Sequence, residues 1–333
     1  MLHSNQQVFS KAPLKSHQLY EIRPASSDMA PVGRPIAHKS AEKQATGEAE
    51  YVDDMPRFEN EAYLGLVLSA KSHAEVLSVD ATEALKVEGV FCFLSAKDIP
   101  EERNAYNIIP IMDEEVFASQ KASGTIKMSV LTLLMSSFLT CLSETLQVRA
   151  VGQPIAAIAA IDQDTAQRAA KLVRVEYREL PAIVTIEEAI EAGSFYPTNI
   201  PEIRHGDARE AMKSSPHVIS GSTRSGAQEH FYLETNAVVA VPNKEKEMVL
   251  YVSCQCPSDT QRVAAGALGV DMNRVVCKVK RVGGGFGGKE TRTLPVSTIC
   301  AVTAEKLGRP VRIMLDRDED MLITGHRHSF LSK

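Results

Sequence analysis

The stretch Arg281-Val282-Gly283-Gly284-Gly285-Phe286-Gly287-Gly288-Lys289-Glu290-Thr291-Arg292 holds five glycines in six positions, followed at once by a lysine and a glutamate. Without Cβ atoms, such a backbone lets a bulky anionic ligand come close to its N–H groups, and φ > 0 becomes accessible. Consecutive N–H groups turned inward form a nest for anions. Apolar alternation at Val275, Val276, Val279 and Val282 predicts a strand leading in. Pro295 to Leu307 reads as a helix leading out, stopped by Gly308 and Pro310. A glycine loop between a strand and a helix is a place where phosphates are held.

Spacing alone leaves three readings open. Gly283, Gly285 and Gly288 fit G-x-G-x-x-G, with Asp316 ending an expected strand Val311 to Leu315, as in a dinucleotide fingerprint. That pattern is cheap in so glycine-rich a run. Gly283 to Lys289 also spell G-x-x-x-x-G-K, a P-loop, but Glu290 stands where a hydroxyl should meet Mg²⁺. The third reading is a glycine-rich turn that holds no ligand.

Taken whole, Arg281 to Arg292 resembles the pterin-binding loop of the molybdenum hydroxylases, the xanthine dehydrogenase and aldehyde oxidase family. Three further stretches carry the same resemblance in order. They are Gly33-Arg34-Pro35 with Gln44-Ala45-Thr46-Gly47-Glu48-Ala49, then Gln228-Glu229-His230-Phe231-Tyr232-Leu233-Glu234-Thr235, then Leu315-Asp316-Arg317-Asp318-Glu319-Asp320-Met321. The resemblance implies an α+β fold: an α/β hammerhead domain followed by the first part of a molybdopterin-binding α+β domain. It places a linker at 1–32, the hammerhead at 33–182 and the cofactor-binding part at 200–333. In that family a molybdenum–molybdopterin cofactor hydroxylates an electron-poor carbon with water-derived oxygen. Electrons leave through 2Fe-2S clusters and FAD to NAD⁺. The family is cytoplasmic and homodimeric, and its purine members act in purine catabolism.

The resemblance also assigns roles. Gln228 matches a glutamine that donates a hydrogen bond near an oxo ligand of the molybdenum, which an uncharged amide can do without changing the site's charge. Gly283, Gly284, Gly285, Phe286 and Gly287 match the loop whose backbone lies against the metal centre. No residue ligates the molybdenum directly, because the pterin holds it. Glu290 matches a glutamate that hydrogen-bonds a purine, and a carboxyl there can orient the ring and steady developing charge. Aldehyde oxidases usually lack Glu at this point, so Glu290 favours xanthine or hypoxanthine over an aldehyde. Ala227 departs from the usual glycine before Gln228. Cys254, Cys256, His326 and Ser329 depart as well.

The composition of the 333 residues, 44% hydrophobic and 24% charged, suffices for two globular domains. A net charge of −5 gives no indication of a broad basic surface for nucleic acid. The six cysteines are scattered, with only Cys254 and Cys256 close, on an expected strand with both on one face. Free thiols in a reducing compartment are expected there, and the cytosol is the default location because Met1 to Ser10 lack an apolar signal core. Expected elements include strands Ala62 to Ala70, Val90 to Leu94, Pro154 to Ile161, Val173 to Tyr177, Val218 to Gly221, Ala237 to Val241 and Met248 to Ser253. Expected helices include Thr165 to Leu172 and Asp259 to Leu268. Asp316, Asp318, Glu319 and Asp320 read as a solvated acidic turn.

Ser123 to Ala150 interrupts the hammerhead pattern. Its centre, Met128 to Ser143, is uncharged and rich in Leu, Ser and Thr. We read it as translated intron sequence or an alternative transcript, with an added amphipathic element or a membrane helix as the other readings; its many hydroxyls speak against a span. The family's cluster-binding cysteine patterns, its flavin part, a second substrate arginine and the glutamate base cannot be assigned in this chain. The expectation is therefore one wall of an active site, with little catalysis by this polypeptide alone. A non-catalytic product pairing with full-length subunits, and an aldehyde oxidase segment, are the alternatives.

Overall fold

The computed structural model describes residues 35–106, 114–119, 146–195 and 205–333. The expected linker, the loop around Tyr196 and nearly all of the expected insert lie outside them. Residues up to Ala49 and residues from Glu50 onward form two separate units. In the first, α1 (Ala41–Thr46) ends on the left-handed Gly47, and Ala49 N–H donates to Lys43 O at 3.0 Å.

In the second unit the chain runs through β1 (Ala62–Leu68), β2 (Ala74–Asp80), β3 (Val90–Ser95), β4 (Ala105–Tyr106), β5 (Glu114–Glu115), β6 (Leu146–Val148) and β7 (Pro154–Ala160). It continues with α2 (Gln163–Ala170), β8 (Arg174–Glu179), α3 (Ile186–Glu191), α4 (Ala208–Ser214), β9 (Thr223–Ser225), β10 (Ala237–Pro242) and β11 (Met248–Val252). Then follow α5 (Pro257–Leu268), β12 (Val275–Lys278), α6 (Thr293–Leu307), β13 (Val311–Met314), α7 (Arg317–Ile323) and β14 (Phe330–Ser332).

A mixed seven-stranded sheet, in the order β12-β11-β10-β13-β1-β7-β3, organises this unit. β1 and β7 are almost continuously apolar and buried, as strands covered on both faces must be. β11 alternates buried and half-buried residues, the pattern of a strand with one wetter face. β1 pairs parallel with β13, Ala62 opposite Val311 and Tyr63 opposite Arg312. Strands expected in two different domains thus share one sheet. Residues of α5 and α6 and of strands from both halves share one apolar cluster.

α6 is buried from Thr293 to Ala304. Its buried threonine hydroxyls bond back along the helix: Thr293 to Lys289 O (3.0 Å), Thr298 to Leu294 O (2.8 Å) and Thr303 to Ile299 O (2.7 Å). Such back-bonding lets threonine sit inside a core without an unpaired hydroxyl. α6 closes on Gly308 at φ +62, as expected of a glycine stop.

Several sequence expectations need correction. The strand into the glycine loop stops at Lys278, because the following backbone turns away to meet Glu234 and Gln255. Val218–Gly221 is not a strand; β9 begins at Thr223 and pairs with β14. Cys254 and Cys256 do not share a strand, since β11 ends at Val252 and Cys256 is the N-cap residue of α5, its thiol donating to Asp259 (2.8 Å). Asp316 caps a helix rather than ending a strand, and the acidic turn is α7, with Asp320 fully buried. The end of the expected insert, Leu146–Val148, is β6 and pairs with β2. Among the described residues no helix is long and apolar enough to cross a membrane, and Met128 to Ser143 lies outside them.

Arg312 bolts the junction of the two halves of the sheet. It is 4% exposed, and its guanidinium donates to both carboxylate oxygens of the buried Glu61 (2.6 and 3.3 Å). It also donates to the carbonyls of Val52 (3.2 Å) and Met55 (3.0 Å), which pins the segment before β1 onto β13. Replacing Arg312 with Met strands the Glu61 carboxylate in the interior. We expect a loss of about 3–5 kcal/mol, read as a lower urea midpoint. Arg312→Lys should recover little of it, since an ammonium cannot span the carboxylate and the carbonyls together. An unchanged midpoint in either variant would remove the bolt.

Candidate functional site

The glycine loop folds back onto two segments, 230–234 and 253–255. Gly284 and Gly287 take φ of +98° and +96°, and Phe286, a non-glycine, takes +53°. Three left-handed residues so close together must be held by their surroundings.

The first hold is Glu234. Its Oε2 accepts from Gly283 N–H (2.6 Å), Ser253 Oγ (2.7 Å) and Lys289 Nζ (3.3 Å). Lys289 Nζ also donates to Ser253 Oγ (2.7 Å) and lies 4.6 Å from the centre of the Tyr232 ring. The lysine side chain is fully buried, and burial holds its ammonium below the ordinary lysine range against the pull of Glu234. Lys289 therefore faces inward, away from any ligand in the loop, which ends the P-loop reading.

The second hold is Gln255. Its Oε1 accepts from Gly287 N–H (2.9 Å) and Lys289 N–H (3.2 Å), and its own backbone N–H donates to Lys289 O (2.8 Å). Two donors on one end of the amide fix which end is oxygen. The Nε2 end has no partner among the described residues, and Gln255 is exposed.

Most of the glycines serve this inward packing. A Cβ on Gly283 would lie 2.4 Å from Glu234 Cβ, on Gly285 2.5 Å from Gln255 Oε1, and on Gly288 2.7 Å from the Tyr232 ring. Only Gly287 opens onto free space. The amides of Gly284, Gly285 and Phe286 have no acceptor among the described residues, while Gly288 N–H donates to Gly285 O (2.7 Å).

Behind the loop, α7 clamps residues 231–236. Arg317 Nη2 donates to the carbonyls of Tyr232 (2.5 Å) and Leu233 (2.9 Å), and the guanidinium lies 4.8 Å from the Phe231 ring centre. Phe231 is itself left-handed, at φ +46°. Asp320 Oδ1 accepts from the Asn236 backbone N–H and side-chain amide, both at 2.8 Å. Burial, then Asp320's charge, push the Tyr232 phenol up.

Of the residues singled out in the sequence, Gly283, Gly284, Gly285, Phe286 and Gly287 lie together in this loop. Phe286 is 75% exposed and is therefore not a plug for the core. Glu290 is exposed at the loop's end, its N–H donating to Gly287 O (3.4 Å). Gln228 forms a backbone bridge with Arg327, and its side-chain oxygen accepts from Arg327 Nη1 (3.4 Å). The neighbouring Glu229 pairs with His326. Sequence reasoning missed Gln255, Lys289 as an inward anchor, and Glu234. A polar residue three positions past an apolar strand was the available signal for Gln255.

Adding a methyl at two neighbouring glycines separates inward packing from backbone freedom. Gly288→Ala should cost about 2–3 kcal/mol, because the buried Tyr232 ring cannot retreat. Gly287→Ala should cost about 1 kcal/mol, the left-handed φ alone. Chemical denaturation of both variants checks this; equal losses would contradict the packing described.

Residues 193–333 match the family model "Molybdopterin cofactor-binding domain", and residues 46–126 and 135–181 match "Aldehyde oxidase and xanthine dehydrogenase, a/b hammerhead domain". Of the expected insert, only residues 127–134 fall between matched segments. The chain is 46% identical over 333 residues to a xanthine dehydrogenase of Drosophila pseudoobscura pseudoobscura, covering 99% of this chain and 23% of that protein. It is 47% identical to a xanthine dehydrogenase/oxidase of Gallus gallus, covering 98% and 22%. Among solved structures, the aldehyde oxidoreductase of Desulfovibrio desulfuricans shares the fold at a TM-score of 0.69 and 22% identity, over 89% of this chain and 32% of that one. Quinoline 2-oxidoreductase of Pseudomonas putida 86 does so at 0.66 and 23%, over 86% and 34%. The chain belongs to the aldehyde oxidase and xanthine dehydrogenase family of molybdenum oxidoreductases, and spans about a quarter of the length of the curated relatives it matches.

Proposed function

We propose that the loop Gly283–Gly287, Gln228 and Gln255 form one wall of a molybdenum–molybdopterin site, and that the whole protein hydroxylates a purine such as xanthine or hypoxanthine. One juxtaposition carries this reading. Three unpartnered backbone amides, Gly284 to Phe286, lie beside a carboxamide clamped so that its N–H₂ end faces outward. An uncharged cradle of donors suits an anionic cofactor.

The pterin-bound molybdenum supplies the oxidative chemistry when present. This chain's share is binding and orientation. The amides of Gly284, Gly285 and Phe286 offer donors to the cofactor. Gln228 keeps the amide role that sequence resemblance gives it, and Gln255 Nε2 offers a second amide beside the loop. Glu290 hydrogen-bonds a purine ring and steadies charge developing on it. FAD and 2Fe-2S clusters, NAD⁺ as acceptor, a homodimer and a cytoplasmic location complete the proposal on family resemblance. An aldehyde substrate is the alternative; Glu290 favours the purine.

Expression in a host that makes the pterin cofactor tests the assignment by metal analysis. Gln228→Ala should retain roughly tenfold less molybdenum per chain, or lower still, while Gln255→Glu, which keeps the acceptor for the loop amides and loses only the N–H₂ donor, should lose less. An unchanged molybdenum content in Gln228→Ala would take the role from Gln228. In any form of the protein that turns over xanthine, Glu290→Gln should lower kcat/KM for xanthine by about 10²-fold or more. An aromatic aldehyde should be much less affected. Equal losses on both substrates would remove the purine assignment.

A further inference from the structure

We propose that Lys289 and Glu234 are positioning residues: a buried ion pair that ties the two ends of the glycine loop together and so sets where Phe286 and Glu290 stand. The inference rests on reading this loop as the cofactor wall. The two residues reach opposite ends of it. Glu234 holds the entrance through Gly283 N–H (2.6 Å), and its own N–H donates to Gly283 O (3.3 Å). Lys289 is the exit residue, next to Glu290. Ser253 Oγ bridges them, donating to Glu234 and accepting from Lys289, each at 2.7 Å.

A glycine loop has little shape of its own, since each glycine samples both signs of φ. The left-handed Phe286 adds strain that only fixed ends can sustain. Apolar side chains could fill the same space, often with equal or greater stability than a buried ion pair. What they cannot supply is a charge-assisted acceptor for Gly283 N–H and a matching donor 3.3 Å away. The side chains are 0% and 8% exposed, so neither can serve a ligand directly. Their effect passes through the backbone.

Hydrogen exchange on the whole chain tests this. Lys289→Met should quicken exchange of peptides covering residues 283–290 by ~10-fold relative to α6 and β10, the scale of one lost hydrogen bond. Ser253→Ala, a milder change that keeps the pair, should quicken the same peptides less. The double variant Lys289→Met with Glu234→Gln separates positioning from stability. It should recover the urea midpoint while the loop stays fast. Recovery of both, or loop exchange that rises no more than that of α6, would overturn the proposal. Molybdenum content is read in parallel: an unaltered chain that gains none in a cofactor-making host fails the functional reading alone and leaves the exchange result standing.

Discussion

The carboxylate of Glu234 is the constraint on which the site depends. One buried oxygen gathers a backbone amide, a hydroxyl and an ammonium from three places in the sequence. A buried charge with fewer partners would be expelled or neutralised. With three, it joins the 231–235 turn, the end of β11 and the glycine loop into one body. Gln255 then completes the loop from the same side. Both holds come from segments that leave the central strands within a few residues, so the loop inherits the rigidity of the sheet.

That rigidity rests on the sheet being continuous. β10, which follows the 231–236 turn, pairs with β13, and β13 with β1. The Arg312–Glu61 pair sits at this seam, in the strand that leads into α7. α7 in turn clamps the turn through Arg317 and Asp320. The same short stretch, Val311 to Asp320, therefore closes the sheet and backs the site. A disturbance at the seam reaches the loop through two covalently adjacent contacts rather than through a long chain of packing.

Regular elements were legible in the sequence where their pattern was strong. Ala62–Leu68, Pro154–Ala160 and Thr293–Leu307 were found within two residues, because apolar runs and glycine stops are local signals. The glycine loop was legible as a loop between a strand and a helix. What was not legible was direction. P-loop spacing would put Lys289 on a phosphate, yet it points inward, because its partner Glu234 lies 55 residues earlier. Asp320 read as solvated, yet it satisfies Asn236, 84 residues earlier. Gln228 and Gln255 are chemically identical, and only the fold shows which amide touches the loop. Such pairings belong to tertiary structure and leave no mark in spacing.

The glycines themselves change meaning once direction is known. A glycine-rich run invites the view that every missing Cβ makes room for a ligand. Here the space at Gly283, Gly285 and Gly288 is taken by Glu234, Gln255, Tyr232 and His230. These glycines let the protein approach itself. The surface left to face a cofactor is narrower: the free amides from Gly284 to Phe286, the open Gly287 and the outer end of Gln255. Glycine-to-alanine changes in this loop then act mostly by dislodging the supports, and loss of binding in such variants cannot by itself locate a ligand contact. A side-chain change at Glu290, which holds no part of the loop, is the one that reports on the ligand directly.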